Sequence, residues 1–315
     1  MNRPIHSPMD PSPRSRLIAA VLVITYAVLS LIPLAWIFMT SVRTPEDAIA
    51  YPPKVIAAPS AVGFVNLFTT RSRVSAEELA ALPPPANWVE RTVREQQMIL
   101  SGPSRFMDRY TNSLVIGFGS TILSIILGTL AAYAFSRFRV PGKDDWLFFI
   151  LSTRMMPPIA VAIPVYLMFR ELGLNDTHTG LILLYTVVNL SLSVWLLKGF
   201  MDEIPREYEE AAMVDGYTRW QAFVKVVLPQ AATGIATTAI FCLIFAWNEY
   251  AFALLLTSGN AQTAPPFIPT IIGEGGLDWP AMAAGTTLFL LPVLFFTVLL
   301  RKHLLRGVTF GAIRK

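Results

Sequence analysis

The chain has 315 residues, of which 54% are hydrophobic and only 15% charged, and its mean hydropathy is positive. This composition differs from that of soluble domains and indicates that the lipid bilayer is the solvent. The net charge of +4 is not clustered with aromatic residues, which argues against a nucleic-acid partner. The chain has one cysteine, which argues against a disulfide, and its three histidines lack ligand spacing, which argues against a metal site.

Six apolar stretches are long enough to cross about 30 Å of hydrocarbon as helices. The sequence therefore predicts an all-α integral membrane protein. The six spans are Leu17–Met39, Ser113–Phe135, Trp146–Leu167, Leu181–Leu197, Ile235–Leu256 and Ala281–Leu300. The first apolar run is longer than the core of a signal peptide, and no small-residue cleavage pattern follows it, so we interpret it as a retained anchor after the N-terminal segment 1–16.

Residues 40–111 separate the first two predicted spans. They mix proline-rich patches with a polar, helix-forming stretch from Trp88 to Leu100. We interpret the segment as a small extracytoplasmic subdomain; a linker without a fold of its own is the alternative.

The third span contains Arg154, followed by Pro157, Pro158 and Pro164. Internal prolines remove backbone hydrogen bonds and kink a helix, and such backbone is tolerated in a membrane only inside protein or beside water. This favours a position for Arg154 near a translocation path. Alternatively, Arg154 reaches back to the membrane interface from a tolerated kink.

Between the fourth and fifth spans lies a polar segment, residues 201–229. Pro205 with acidic neighbours predicts a helix from Pro205 to Val214, which Asp215 and Gly216 should end. Thr218 and Gln221 have the spacing of a capping box for a second helix, which Pro229 is expected to end. Residues Trp220, Phe223, Val224, Val227 and Leu228 form one apolar stripe on it.

Two short helices at nearly right angles would make a rigid knob on the cytoplasmic side. The alternative is a solvated helix lying on the membrane surface.

In the fifth span, Asn248, Glu249 and Tyr250 interrupt an apolar helix, and Asn189 does the same in the fourth. Such polar groups either line a pathway or hydrogen-bond between helices.

The distribution of basic residues predicts the topology. The tail, residues 301–315, carries Arg301, Lys302, Arg306, Arg314 and Lys315, whereas the connection 257–280 has no Lys or Arg. The positive-inside rule then places both termini in the cytoplasm. Segment 40–111 has eight basic residues, but long loops are translocated largely regardless of charge.

The polar segment resembles a known signature. The segment contains Glu210-Ala211-Ala212, then Gly216 after three intervening residues, Val226 after nine more and Leu228-Pro229 after one more. This pattern looks like the signature loop of binding-protein-dependent ATP-binding cassette (ABC) importer permeases. Only Val226 departs from it, where isoleucine is usual. Residues 131–135, 164–166, 247–250 and 306–312 are similar to the carbohydrate-importing branch, specifically to the smaller maltose permease subunit.

The resemblance implies a type I importer architecture of six transmembrane helices in a bacterial inner (plasma) membrane. It also implies that the loop is a coupling helix that docks on an ATPase through Glu210, Ala211, Ala212, Asp215, Gly216, Leu228 and Pro229. The implied partners are a dimer of ATPase subunits, a second related permease and an extracytoplasmic solute-binding protein. The cargo would be a sugar, polyol or glycoside.

The sequence has no Gly-x-x-x-x-Gly-Lys-Ser/Thr phosphate loop, so the chain is expected to bind no cofactor itself, and ATP and Mg²⁺ are used by the partner. Arg154, Asn189, Asn248, Glu249 and Tyr250 are the candidate translocation path. Two rival functions remain: a secondary transporter or channel that uses Glu249 and Arg154 as an ion relay, and an intramembrane enzyme, for which no convincing residue pair is present.

Overall fold

A computed structural model describes residues 12–273 and 276–309. The chain divides into two compact units, residues 1–102 with 272–287, and residues 103–271 with 288–315.

The first unit begins with α1, Pro13–Ser41, whose N-terminus is capped by the Ser12 side chain. At 1.5 Å per residue, its 29 residues extend about 43 Å, which is enough to cross a bilayer. None of its most apolar window is buried within the chain. This helix therefore presents its apolar side chains to lipid or to a partner.

Residues 42–103 are folded rather than extended. They form α2 (Pro45–Ala48), α3 (Val62–Phe68), α4 (Ala76–Ala80) and α5 (Trp88–Arg94), with a two-stranded sheet of β1 (Thr69–Arg73) and β2 (Met98–Pro103). A small core of Val65, Val93 and Met98 holds them together. The helix predicted from Trp88 to Leu100 ends at Arg94, because the chain turns into β2. A second antiparallel pair, β3 (Ile272–Gly273) and β4 (Gly276–Leu277), belongs to the same unit.

The second unit is built on three long helices that pack on one another, α6 (Phe106–Arg137), α9 (His178–Asp202) and α12 (Leu228–Trp247). Helix α6 begins seven residues before the predicted span. Small polar side chains are buried between the helices and bond to neighbouring carbonyls, as Ser124 does to Ser120 and Thr186. A Cβ atom at Gly128 would lie 2.4 Å from Ser193 Oγ, so only glycine allows this approach of α6 to α9.

The predicted third span is not one helix. Helix α7 (Lys143–Ser152) and a short 3₁₀ turn (Thr153–Met155) are followed by α8 (Pro158–Glu171), and the two parts are bent by 94°. The sequence predicted a kink within a continuous helix, whereas the structure has a complete break between two helices. Two consecutive prolines, Pro157 and Pro158, force the preceding residues out of the helical region and break the helix completely.

The prediction that Pro229 ends the second loop helix was wrong. Helix α11 (Arg219–Ala222) continues through a π-helical turn (Phe223–Val227) directly into α12. The wider turn lies just before Pro229, where the missing N–H and the ring are accommodated without a break. The fifth span ends at Trp247 instead of Leu256, and a separate helix, α13 (Ala251–Leu256), follows.

The chain ends with α14 (Ala264–Phe267), a 3₁₀ turn (Ile268–Thr270) and α15 (Trp279–Thr309). Within residues 12–273 and 276–309, five helices are long and apolar enough to span a membrane, and the bent pair makes a sixth. The prediction of a six-helix membrane protein is confirmed. The predicted basic tail is helical as far as Thr309, and Arg314 and Lys315 lie outside the described residues.

Candidate functional site

The polar segment between α9 and α12 forms one short helix, α10 (Glu207–Val214). The helix begins after Pro205, and Glu207, Glu209 and Glu210 in its first turn complement the helix dipole. Its end was correctly predicted: the Gly216 N–H donates to Met213 O, and Gly216 has φ +90°, a conformation that favours glycine. The predicted capping box of Thr218 and Gln221 is confirmed.

One acidic residue anchors α10 to α6, and the sequence did not single it out. The Glu209 carboxylate is buried and forms an ion pair with Arg137, in which both side chains are about 5–6% exposed. The Tyr133 hydroxyl donates to its other oxygen at 2.9 Å. A buried carboxylate with a charged partner and a hydroxyl donor holds a helix in one position.

Two further hydrogen bonds join the end of α6 to the chain just before α10. Arg137 Nη2 donates to Ile204 O at 2.9 Å, and Arg206 Nη2 donates to Ser136 O at 2.7 Å. The Ser136 hydroxyl is 2.5 Å from an Asp202 oxygen at the end of α9. Basic side chains thereby satisfy backbone carbonyls where two long helices end.

An apolar cluster continues the attachment on the side toward the bundle. Tyr133, Met201, Phe223 and Val227 are buried together, and the rings of Tyr133 and Phe223 are 4.4 Å apart. Ala212, on the inner face of α10, is also buried. Helix α10 is thus held to α6 by the polar contacts of Glu209, and it packs on the start of the fifth span.

The outer face of the segment is apolar and exposed. The large exposed side chains are Tyr208, Val214, Tyr217, Trp220 and Val224, with Val214 87% and Trp220 63% exposed. We call these five residues the outer apolar face. Apolar patches on a rigid element are typical of protein interaction sites.

The residues predicted to couple fall into two groups. Glu210, Ala211, Asp215, Gly216 and Pro229 are exposed, whereas Ala212 is buried and Leu228 packs partly against the apolar cluster. The predicted apolar stripe is likewise divided, because Phe223 and Val227 face the core. The predicted knob of two separate short helices is wrong: only α10 is separate, and the second helix is the beginning of the fifth span.

The residues predicted to line a translocation path make several different contacts. Arg154 lies in the break between α7 and α8 with its guanidinium 4.1 Å from the centre of the Phe245 ring. Asn189 is buried and donates to Cys242 O at 3.1 Å, while its side-chain oxygen has no partner. This contact joins α9 to α12 and matches the interhelical alternative.

Glu249 and its neighbours lie in the break after α12. The Glu249 carboxylate accepts hydrogen bonds from the N–H groups of Phe252 and Ala253 and from the Tyr185 hydroxyl at 2.8 Å. It therefore caps α13 and ties it to α9. Asn248 and Tyr250 are exposed, and the Asn248 amide donates to Ile244 O.

A second polar site, at the other end of α9, had no sequence signal that we recognised. The Asp176 carboxylate accepts four consecutive backbone N–H groups, from Ser258 to Ala261, at 2.8–3.2 Å. Burial raises the pKa of this carboxyl, but the four donors outweigh it and hold the pKa below its usual value. Asn112 binds the same loop, donating to the carbonyl oxygens of Asn260 and Gln262.

Among the residues that the structure describes, no group of three or more His, Cys, Asp or Glu side chains could hold a metal ion. The described site combines an exposed apolar face with a buried polar anchor.

The chain is similar in sequence and in fold to known proteins. Residues 124–310 match the family model described as "Binding-protein-dependent transport system inner membrane component". The chain is 31% identical over 284 residues to the probable ABC transporter permease protein y4oR of Sinorhizobium fredii, with 90% of each chain covered. It is 30% identical to the trehalose/maltose transport system permease protein MalG of Thermococcus litoralis, covering 76% of this chain and 87% of the relative.

Two further similarities concern a mycobacterial relative and a solved structure. The trehalose transport system permease protein SugB of Mycobacterium tuberculosis is 38% identical over 66% of this chain and 77% of its own length. A chain of a bacterial ABC transporter that imports the acidic polysaccharide alginate superposes with a TM-score of 0.66 at 21% identity, covering 95% of this chain and 99% of the other. The second similarity supports the fold alone.

Proposed function

The chain belongs to the family of binding-protein-dependent transport system inner membrane components, and from this premise we propose that α10 is the coupling helix through which a separate ATPase drives carbohydrate import. The protein is a permease subunit of an ABC importer and a multi-pass protein of the inner membrane. The proposal concerns its partners, its cargo and its mechanism.

The observation that carries the proposal is the pairing of an exposed apolar face with a buried anchor on one helix. The outer apolar face offers Tyr208, Val214 and Trp220 to a partner, while Glu209 fixes the same helix to Arg137 of α6. A surface helix without a docking role needs neither feature. With both, a displacement of α10 by a partner must also displace α6.

The proposed mechanism is alternating access. Binding and hydrolysis of ATP, with Mg²⁺, in a dimer of partner ATPases move α10 as a rigid lever, and α6, α9 and α12 follow it between an inward-open and an outward-open packing. Packed helix interfaces are bistable, so a small displacement at one end selects between the two packings. The chain itself would hold no ATP.

The cargo that we propose is a sugar, a polyol or a glycoside. Relatives named as trehalose and trehalose/maltose permease proteins support this class. A solute-binding protein would deliver the cargo outside, and a second related permease would complete the passage. Both termini would lie in the cytoplasm, together with α10, because the connections after the second and fourth spans and the tail share one side and are basic. The basic residues of these two connections are Arg137, Arg139 and Lys143, and Lys198, Arg206, Arg219 and Lys225.

The residues of the candidate path have a place in this scheme that does not require direct contact with cargo. Glu249 holds α13 against α9, and Asn189 joins α9 to α12. The three donors to the Glu249 carboxylate come from α9 and α13, so this side chain joins the two helices. We therefore propose a structural role for Glu249 in the outer half of the bundle.

The test is co-purification of the ATPase with two matched variants. Val214→Asp places a charge on the outer apolar face, and Ile56→Asp places one at a similarly exposed position, 92%, in the first unit. We expect Val214→Asp to lose the ATPase and ATP-driven uptake while the chain stays in the membrane, and Ile56→Asp to retain the ATPase. Equal retention by both variants would contradict the docking role of α10.

A further inference from the structure

A cleft in the first unit takes no part in the proposed docking of the ATPase. It encloses about 570 Å³ between α2, α5, the β3–β4 pair and the start of α15. This volume lies within the range of small-molecule sites, about 300–1,000 Å³. Its lining includes Thr44, Glu46, Glu95, Gln97 and Trp279 above a floor that contains Asp278.

The floor of the cleft is held rigid by a buried polar network. The Asp278 carboxylate accepts hydrogen bonds from Arg71 Nη2 at 2.9 Å, Asn66 Nδ2 at 2.8 Å and the Ala281 N–H at 3.1 Å. The side chains of Arg71 and Asp278 are 5% and 2% exposed. Gln96 completes the network by exchanging hydrogen bonds with Asn66. Arg71 Nε has no partner, but the other hydrogen bonds of this buried network restrict the shape of the surface above it.

The charge of the lining selects against anions. The negative charge of Asp278 is matched by Arg71, but among the described residues neither Glu46 nor Glu95 has an ion-pair partner. The described lining of the cleft contains no Lys, Arg or His. An anionic ligand would therefore meet two uncompensated carboxylates and no cation.

The remaining lining groups suit a ligand that is rich in hydroxyl groups. The carboxylates of Glu46 and Glu95 accept hydrogen bonds, and the Gln97 amide both donates and accepts. The Thr44 hydroxyl is engaged by Asp47, whose N–H it accepts at 3.3 Å and whose carboxylate it also bonds, so the Gln97 amide is the donor that we assign to this lining. Trp279 is half exposed and supplies a flat apolar surface. A sugar ring presents hydroxyl groups at its edge and C–H groups on its face, and this lining matches both.

We propose that this cleft of the first unit binds a short neutral saccharide. An organic cation would also be attracted by two carboxylates and an indole, but it would leave the Gln97 amide without a partner. The choice of a saccharide as the ligand rests on the proposed function, because a saccharide is also the proposed cargo. The place and the preference against anions rest on the cleft alone.

The experiment uses the assembled transporter in lipid nanodiscs and titration calorimetry. The neutral probes are trehalose, maltotriose and diacetylchitobiose; trigalacturonic acid is the anionic probe and glycine betaine the cationic one. We expect at least one neutral saccharide to bind, and both charged probes to bind at least about 10-fold more weakly. Trp279→Ala should weaken saccharide binding about 10-fold, which corresponds to about 1.4 kcal/mol.

Trp88→Ala is the matched control, because Trp88 is similarly exposed and is not part of the lining. The double variant Glu46→Lys with Glu95→Lys should move the preference toward trigalacturonic acid. The proposal is overturned if no neutral saccharide binds, if Trp279→Ala and Trp88→Ala bind equally well, or if glycine betaine binds more tightly than every saccharide.

ATP-driven uptake of the same saccharides from the cognate binding protein is measured in parallel, in proteoliposomes. Uptake without binding in the cleft would overturn the cleft site and leave the proposed function standing. Conversely, absence of uptake for every saccharide would overturn the proposed cargo, whatever binds in the cleft.

Discussion

Removing the Glu209 carboxylate tests how firmly α10 is attached to α6. Glu209→Ala leaves the buried Arg137 guanidinium without its counter-ion and takes away the acceptor of the Tyr133 hydroxyl. Breaking one partner of a buried ion pair costs about 3–5 kcal/mol. Arg137 keeps its bond to Ile204 O, so the lower end of this range is the better expectation.

A loss of about 3 kcal/mol raises the population of a detached α10 by more than about 100-fold. Hydrogen exchange of the α10 amides measures that population directly, because local opening sets their exchange rate. We expect exchange from Tyr208 to Val214 to accelerate by this factor, while the amides of α12 keep their rates. ATP hydrolysed per solute imported should rise in the same variant.

The double variant Glu209→Met with Arg137→Met is the control for an unpaired charge. Replacing both partners of a buried pair with apolar side chains is often neutral or stabilising, so this variant should restore slow exchange in α10. Unchanged exchange in Glu209→Ala would refute the anchoring role of the ion pair. Fast exchange in the double variant would show that apolar packing at this position cannot replace it.

Three other expectations follow from the geometry. Gly216→Ala places a side chain at φ +90°, which should cost about 1–3 kcal/mol at the end of α10 and reduce transport without removing the chain from the membrane; wild-type uptake and thermal stability would contradict this. Gly128→Leu forces α6 away from Ser193 of α9, so we expect little assembled complex by size-exclusion chromatography, whereas Gly199→Leu, with open space around it, should assemble normally. Asp176 has a lowered pKa, so its stabilisation is fully present above its unfolded-state value near 3.8 and is lost as the pH falls through its folded-state value. Asp176→Asn should therefore be less thermally stable than wild type at pH 7, and the stability of the two proteins should differ less below about pH 4. A stability difference that does not change with pH would refute this role of Asp176.

Local signals allowed parts of the loop to be predicted from the sequence. The capping box of Thr218 and Gln221 and the stop at Gly216 depend on residues within four positions of each other, and both were correct. The end assigned to Pro229 was wrong because a proline in the first turn of a helix and one after its end look alike in sequence. The π-helical turn before Pro229 decides between them, and it arises from packing.

Long-range contacts account for what the sequence did not predict. Glu209 and Arg137 are 72 positions apart, and no local pattern pairs them. The cleft above Asp278 is formed by three distant segments of the chain, and no local pattern indicates it. Glu249 was noticed because it is a charge in an apolar stretch, yet its capping of α13 depends on a helix break that hydropathy does not show.

The most direct test of the coupling role is cross-linking of α10 to the ATPase in the assembled transporter. Val214→Cys and the control Ile56→Cys are made in a chain whose buried Cys242 is replaced by Ser, and each is treated with a thiol-cleavable reagent that joins cysteine to lysine. We predict that Val214→Cys cross-links to the ATPase, that uptake stops, and that reduction of the reagent restores it. Failure of Val214→Cys to reach the ATPase, or undiminished uptake in the cross-linked complex, would contradict the role of α10 as the coupling helix.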